Sequence, residues 1–418
     1  MKLGQLLAGV LVSVPALVMA QANIENGTLR VGVRADGALM PQEISPLTGI
    51  TYLANGQDGL TPGCPCEAWG IADALTNTSG FTGSSVGTTG ITSESFTSTA
   101  STATSVANAF GTFRVTHAFA PSSTNNIYEV KVTIENISST PVEALYGRAM
   151  DWDVFPTQFN EYTTIQRGSS TALVFSSDNG FHTADPLESD PGILFVDQDV
   201  VDSGPYDHGA HFRFNFGTIA PGAKVDFTIG YGATDNQVDA LAALATFGAE
   251  AYSLGKPSEN PPGTPNTDGT PNTFIFAFKG IGGVQLIGVD AVDDTAPALT
   301  RPTSGSVTAI NVLANDTVDA APATTSNVAL TAVGTWPAGI TVTPGGDVLV
   351  SSAAAPGAYT MSYQICSTEQ ETQCDTATVT LQVNAPAVVV PKAVPVGHPL
   401  VLAGLGLLLL GVARRKLG

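Results

Sequence analysis

Basic residues are scarce in this chain: 16 Lys and Arg stand against 36 Asp and Glu over 418 residues. Four of the sixteen (Lys2, Arg414, Arg415 and Lys416) lie in the terminal segments, so the body carries 12 against 36. A field of that sign repels a phosphate backbone and excludes nucleic acid as a partner. It attracts cations, Ca2+ above all, and also keeps an ordinary surface solvated. Charged residues of either sign make up only 12%, while Gly and Pro number 44 and 27 among abundant Thr, Val and Ser. That balance points to strands joined by tight turns rather than to helices. Cysteine is rare as well. Cys64-Pro65-Cys66 has no further Cys or His close by in sequence, which argues against a metal site and leaves a local disulfide or two thiols.

The two ends set the expected compartment. Residues 1–22 have the form of a secretory signal peptide: Lys2 at the start, a mostly apolar run from Leu6 to Leu17, and small residues for cleavage at Val18-Met19-Ala20 or Ala20-Gln21-Ala22. At the other end, Pro386 to Pro395 reads as an extended spacer, followed by an apolar run from Leu400 to Ala413 and the cluster Arg414-Arg415-Lys416. Fourteen apolar residues span a bilayer only when Val394 to Pro399 extend them. A short motif, a short hydrophobic helix and a basic end resemble the bacterial C-terminal sorting signals of the IPTL-CTERM type, related to PEP-CTERM. Val394-Pro395-Val396 stands where that family opens with Ile-Pro-Thr-Leu. The resemblance implies a membrane partner for the C-terminal helix and a sorting protease.

Between the ends the expected fold is all-β. Tyr128, Val130, Val132 and Ile134 alternate with Glu129, Lys131, Thr133 and Glu135. Phe212/Phe214/Phe216, Val225/Phe227/Ile229/Tyr231 and Phe274/Phe276/Phe278 repeat the pattern, predicting a large antiparallel β-sandwich over residues 23–287. One helix is expected at Asn236 to Phe247, capped by Thr234 or Asp235, with Val238, Leu241 and Leu244 as its stripe. Thr76 to Ser105 reads as long loops or edge strands. Lys256 to Asn272, with five Pro, reads as an extended loop.

A second module is expected over residues 288–385, then the spacer 386–398 and the tail 399–418. Val289-Asp290-Ala291-Val292-Asp293-Asp294, Ile310-Asn311-Val312-Leu313-Ala314-Asn315-Asp316-Thr317 and the strand Ala358 to Cys366 resemble bacterial Ig-like and cadherin-like repeats, here in a single copy. The resemblance implies a seven-strand sandwich acting as spacer or adhesive module, with Ca2+ held by Asp290, Asp293, Asp294 and Asp316. Cys366 and Cys374 flank a turn between strand-like segments and are expected to form a disulfide stapling a hairpin.

Candidate chemistry in the first domain is sparse. Asp151 and Asp153 share one face of an expected strand, either as a solvent-facing pair or as the acid and base of a glycosidase, with Trp69 or Trp152 for sugar stacking. Asp207-His208-Gly209-Ala210-His211 offers zinc ligands if His182 or Asp178 supplies a third; a hydrogen-bonded turn is the plainer reading. His117 reads as a core residue. Gly83-Ser84-Ser85-Val86-Gly87 lacks the strand and helix a nucleophile elbow needs. The expectation is therefore a non-enzymatic exported envelope protein. Glycan binding or carbohydrate chemistry is the alternative, and a surface polymer or glycan the conceivable partner.

Overall fold

In the computed structural model, which describes residues 21–61, 63–319, 321–371 and 373–387, two β-rich units follow one another with a single α-helix. The alternating segments do become strands. Ile127–Asn136 pairs on both sides, with Phe113–Pro121 (Val130 opposite Phe119) and with Lys224–Thr234 (Val130 opposite Ile229). These belong to a nine-stranded antiparallel sheet. A six-stranded sheet centred on Val142–Asp151, Gly209–Ile219 and Glu67–Asp73 faces it. Aromatic rings join the two layers: Phe212 and Phe214 lie 5.1 and 4.7 Å from Phe278. Each such ring contributes roughly 1.5–3 kcal/mol on burial. A four-stranded sheet from Gln21–Glu25 to Gln57–Asp58 adds Ile24, Val31, Val33 and Ile50 to the same core.

The helix runs over Gln237–Phe247, with Asn236 as the cap: its side-chain oxygen accepts from the Asp239 amide. Asn236 takes the place expected of Thr234 or Asp235 because it alone stands the right distance from that free N–H. The buried stripe is Ala240, Ala243, Leu244 and Phe247, and Val238 is exposed, a shift from the expected face. Thr76 to Ser105 supplies edge strands to both sheets, Thr78–Gly83 and Gly87–Thr89 to one, Ile91–Ser98 and Ala103–Ala109 to the other. Ser84 sits in the hairpin between the first two, bonded to the Met40 carbonyl, with no helix after it.

The second unit has its own core, built around Val312, Val348, Val350, Tyr363, Ile365 and Val379. One sheet contains Val328–Val333, Gly357–Ser367 and Cys374–Asn384, with Asp294–Thr295 and Leu299–Thr300 running parallel to the last. The other contains Ser306–Asn311, Asp347–Ser351 and Ile340–Val342. Counting the broken first strand once gives seven, with a small ribbon added at Val289–Asp290, Thr317–Val318 and Ala321–Pro322. Among the described residues no helix is long and apolar enough to cross a membrane. The expected signal helix and the sorting residues Val394, Pro395, Val396, Arg414, Arg415 and Lys416 lie outside the described residues.

Candidate functional site

Strand Val142–Asp151, central in the six-stranded sheet and paired to its end with Gly209–Ile219 and Glu67–Asp73, carries the buried charged groups of the first domain. Arg148, fully buried, places Nε 2.5 Å from Glu67 Oε1. Its remaining nitrogens donate to Tyr146 Oη and the Gly37 carbonyl, and Glu67 Oε2 accepts the Leu39 amide. Burial works against the guanidinium charge, yet Glu67 outweighs it and raises the Arg148 pKa. His117, as expected, is a core residue, with Nε2 3.0 Å from Tyr146 Oη.

Three residues further along, the environment changes. Register sets Asp151 opposite Gly209 and Glu161 opposite Tyr206, bringing the 207–208 loop and the edge of the nine-stranded sheet onto the end of this strand. Asp153 lies just past the strand, its amide bonded to the Gly59 carbonyl. Carboxylate oxygens of Asp151, Asp153 and Asp207 then lie within 4.8 Å of one another. Asp153 is 0% and Asp151 2% exposed. Both oxygens of Asp153, Oδ1 of Asp151 and of Asp207, and Nε2 of His208 are buried without a hydrogen-bond partner. Cys64 Sγ lies 3.7 Å from the other Asp151 oxygen, but it is joined to Cys66 in a disulfide and has no proton to donate. Glu161 completes the group, accepting the Asn160 and His208 amides.

Burial, then the charges of Asp153 and Asp207, push Asp151 up to about 9. Burial followed by Asp207 takes Asp153 to about 7, and burial followed by Asp151 takes Glu161 to about 9. The Gly63 amide opposes the Asp153 shift from outside hydrogen-bond geometry. Gly63 itself is required: a Cβ there would sit 2.1 Å from Asp153 Oδ2. Asp151 and Asp153 are thus neither a solvent-facing pair nor an open catalytic pair on one strand face. The sheets close over them because Trp152 between them is drawn fully inside, its indole N–H donating to Ser253 Oγ. Trp69 is equally buried, donating to the Asp36 carbonyl, so neither Trp is a platform for sugar.

The histidine motif is split by its strand. His208 Nδ1 faces Asp178 Oδ2 at 3.2 Å, while His211 Nδ1 faces Asp190 Oδ2 at 2.7 Å. Asp178 is occupied further by the Ile193 and Leu194 amides. His182 does join His211, stacked at 4.5 Å with an interplanar angle of 16°, and its Nδ1 accepts the Ala184 amide. Donor atoms of His182, Asp190 and His211 lie within 4.8 Å. Nε2 of His182 and Nε2 of His211 are both buried without a hydrogen-bond partner, a mixed nitrogen and oxygen donor set of the kind that zinc accepts. Burial lowers His211 to about 4 in spite of Asp190. Burial also works against the Asp190 charge, but bonds from His211, Ser177 and Asn179 outweigh it and hold Asp190 well below the usual carboxylate range. Asp190 and Glu161 carried no signal in the sequence: each is an isolated acid whose partners are remote along the chain.

At the start of the second unit, Asp294 and Asp316 converge on Tyr363 Oη at 3.0 and 3.2 Å, and Asp316 also accepts the Val292 amide. Burial is the main cause raising Asp294 to about 6. Asp293 is instead bonded to Thr378, and Asp290 is exposed. The four expected calcium ligands are therefore drawn together as one pair, with the other two outside it. Cys366 and Cys374 face each other across the hairpin and are bonded, and Cys64 is bonded to Cys66.

No family model and no curated protein matches this chain. Among solved structures, it is similar to a galactose mutarotase-like protein from Lactobacillus casei at 11% identity, over 62% of this chain and 87% of that one, with a TM-score of 0.27. A galactose mutarotase related enzyme from Lactobacillus acidophilus matches at 9% identity, over 62% and 85%, with the same TM-score. At that score the likeness is too partial to transfer a fold or a function.

Proposed function

We propose that this chain is an exported, non-enzymatic protein of the bacterial cell envelope that displays its large β domain on the second unit, with the spacer and the tail from Val394 onward as its tether. The observation that carries the reading is the pinned junction between the two units. Glu250 accepts the amides of Gly280, Ile281 and Gly283, fixing the segment that leads out of the first unit. Gln370 accepts the Ile287 amide and donates to the Gln285 carbonyl, and Asp319 and Asp375 accept those of Gly288 and Ala291. Bonds of this kind along a short connection make a stiff arm, which suits presentation at a distance better than a free linker does. Two disulfides fit an oxidising compartment.

Protease shaving of intact cells expressing the full chain, with mass spectrometry of the mature ends, tests it. The large domain should be released from the outer surface, and the mature N-terminus should fall at Gln21. Cleavage after Ala20 leaves the Gln21–Glu25 strand whole, whereas cleavage after Ala22 removes two of its paired residues. A chain retained inside the cell with both ends unprocessed would overturn the reading.

Glycan binding is the second reading. Phe155, Phe159 and Tyr206 are exposed next to the acidic group in sequence, and exposed aromatics are the surfaces on which sugars stack. A glycan array with the full chain and its Phe159→Ala variant distinguishes the two: a signal that the variant loses supports the second.

A further inference from the structure

We propose that Asp151, Asp153 and Asp207, with Glu161 beside them, form a binding site for a hard divalent cation, Ca2+, that ties the two large sheets of the first domain together. The site is distinct from the acidic residues of the second unit.

Three observations lead there. The oxygens of the three aspartates converge within 4.8 Å, a distance at which like charges repel strongly unless something lies between them. The oxygens are also idle: both on Asp153, which is fully buried, and one each on Asp151 and Asp207 have no partner. Buried polar atoms are almost always satisfied, so a group of four idle oxygens in one place indicates a missing partner. Finally, no Lys or Arg supplies a countercharge to Asp151 or Asp153, and only the His208 ring, beside Asp207, favours the charge of the third aspartate. The influences on Asp151 and Asp153 are burial, other carboxylates and backbone amides, with no Lys or Arg among them. The nearest guanidinium along the strand, Arg148, is already paired with Glu67.

Protons could occupy such a site, but a protonated carboxyl needs an acceptor of its own, and protons hold the oxygens in pairs rather than as a convergent set. A cation uses every one of them at once. The donor set is all oxygen, which selects Ca2+ or Mg2+ over Zn2+, and the carboxylates come from one strand end, the start of another strand and a loop, with no octahedral arrangement imposed, which favours Ca2+. The site would fasten four segments: the Gly63–Cys66 loop, the end of Val142–Asp151, the start of Glu161–Gln166 and the Asp207 loop. The separate group at His182, Asp190 and His211 offers two ring nitrogens, the wrong donors for this ion.

The test is titration calorimetry and melting of the purified full-length chain, stripped with EDTA, against CaCl2, MgCl2 and ZnCl2. One Ca2+ per chain should bind, with a rise in melting temperature of several degrees. Asp153→Asn and Asp207→Asn should each weaken it by at least about tenfold. Asp316→Asn, in the second unit, should leave it unchanged. In EDTA, Asp153→Asn should melt at or above the wild type, because a repelling charge has been removed. If both variants fail to fold, the wild-type titration still decides. The idea is overturned if wild type takes up no Ca2+ and its melting does not move, if binding survives both aspartate variants, if Asp316→Asn abolishes it, or if only Zn2+ binds. The readout does not depend on export, so its failure and that of the display reading are separable.

Discussion

Arg148 and Asp151 stand three residues apart on one strand, and they show opposite ways of burying charge. Around Arg148 the chain supplies both signs, and every polar atom of the Glu67–Arg148–Tyr146 group has a partner. Around Asp151 no Lys or Arg answers the carboxylates, and four of their oxygens are idle. A buried charge left alone is costly, so a fold that completes one such group and leaves the next open is built for a partner from outside. The second unit offers an intermediate case, two carboxylates sharing the single hydroxyl of Tyr363.

The sharpest way to break this comparison is to open the closed group. Arg148→Met should cost about 3–5 kcal/mol in urea unfolding, because Glu67 is left buried and unpaired, and adding Glu67→Gln should recover much of it. A cost under 1 kcal/mol for the single change would mean that solvent reaches the pair.

The His211–Asp190 pair sharpens it through pH. His211 has a folded pKa of about 4, below the ordinary histidine value, so the unfolded chain takes up the proton first. Its stabilising effect is present above about 6.5 and lost as pH falls toward 4, by up to ~3 kcal/mol at ~1.4 kcal/mol per pKa unit. The groups facing it are Asp190, His182 and Arg213. Melting curves of wild type and His211→Gln should therefore converge as pH drops through that window. Parallel curves would show that the imidazole is hydrated.

Adding Ca2+ to the stripped wild type should contribute about 2.7 kcal/mol at a concentration a hundred times the dissociation constant, read as a melting shift that Asp153→Asn lacks. Smallest is Tyr363→Phe, which should cost roughly 1–2 kcal/mol in urea unfolding by leaving Asp294 and Asp316 without their shared donor. No loss there would mean that the two carboxyls already share a proton.

The strands were legible because alternation is local: Ile127–Asn136 and the Phe-rich strands need only their own residues to reveal a buried face. The hairpin disulfide at Cys366 and Cys374 was legible for the same reason. The expected helix stripe holds at Leu244 and Leu241 and fails at Val238. The sheet admits Ala240 and Ala243 and leaves Val238 in solvent, since close packing rewards small residues. Asp151 and Asp153 are close enough in sequence to be read together, whereas Asp207 stands beside histidines that pair with other carboxylates. Spacing along the chain says nothing of which loop lies over which strand end. That depends on the Asp151–Gly209 and Glu161–Tyr206 registers, which form between segments some 50 residues apart.

Terbium(III), a luminescent stand-in for Ca2+, gives the most direct test of the open acidic group, because Trp152 lies between two of its carboxylates in sequence. Tryptophan-excited terbium emission from the stripped chain should saturate at one equivalent, be displaced by Ca2+ and vanish in Asp153→Asn. Emission that never rises, or that Asp153→Asn leaves intact, would contradict the account.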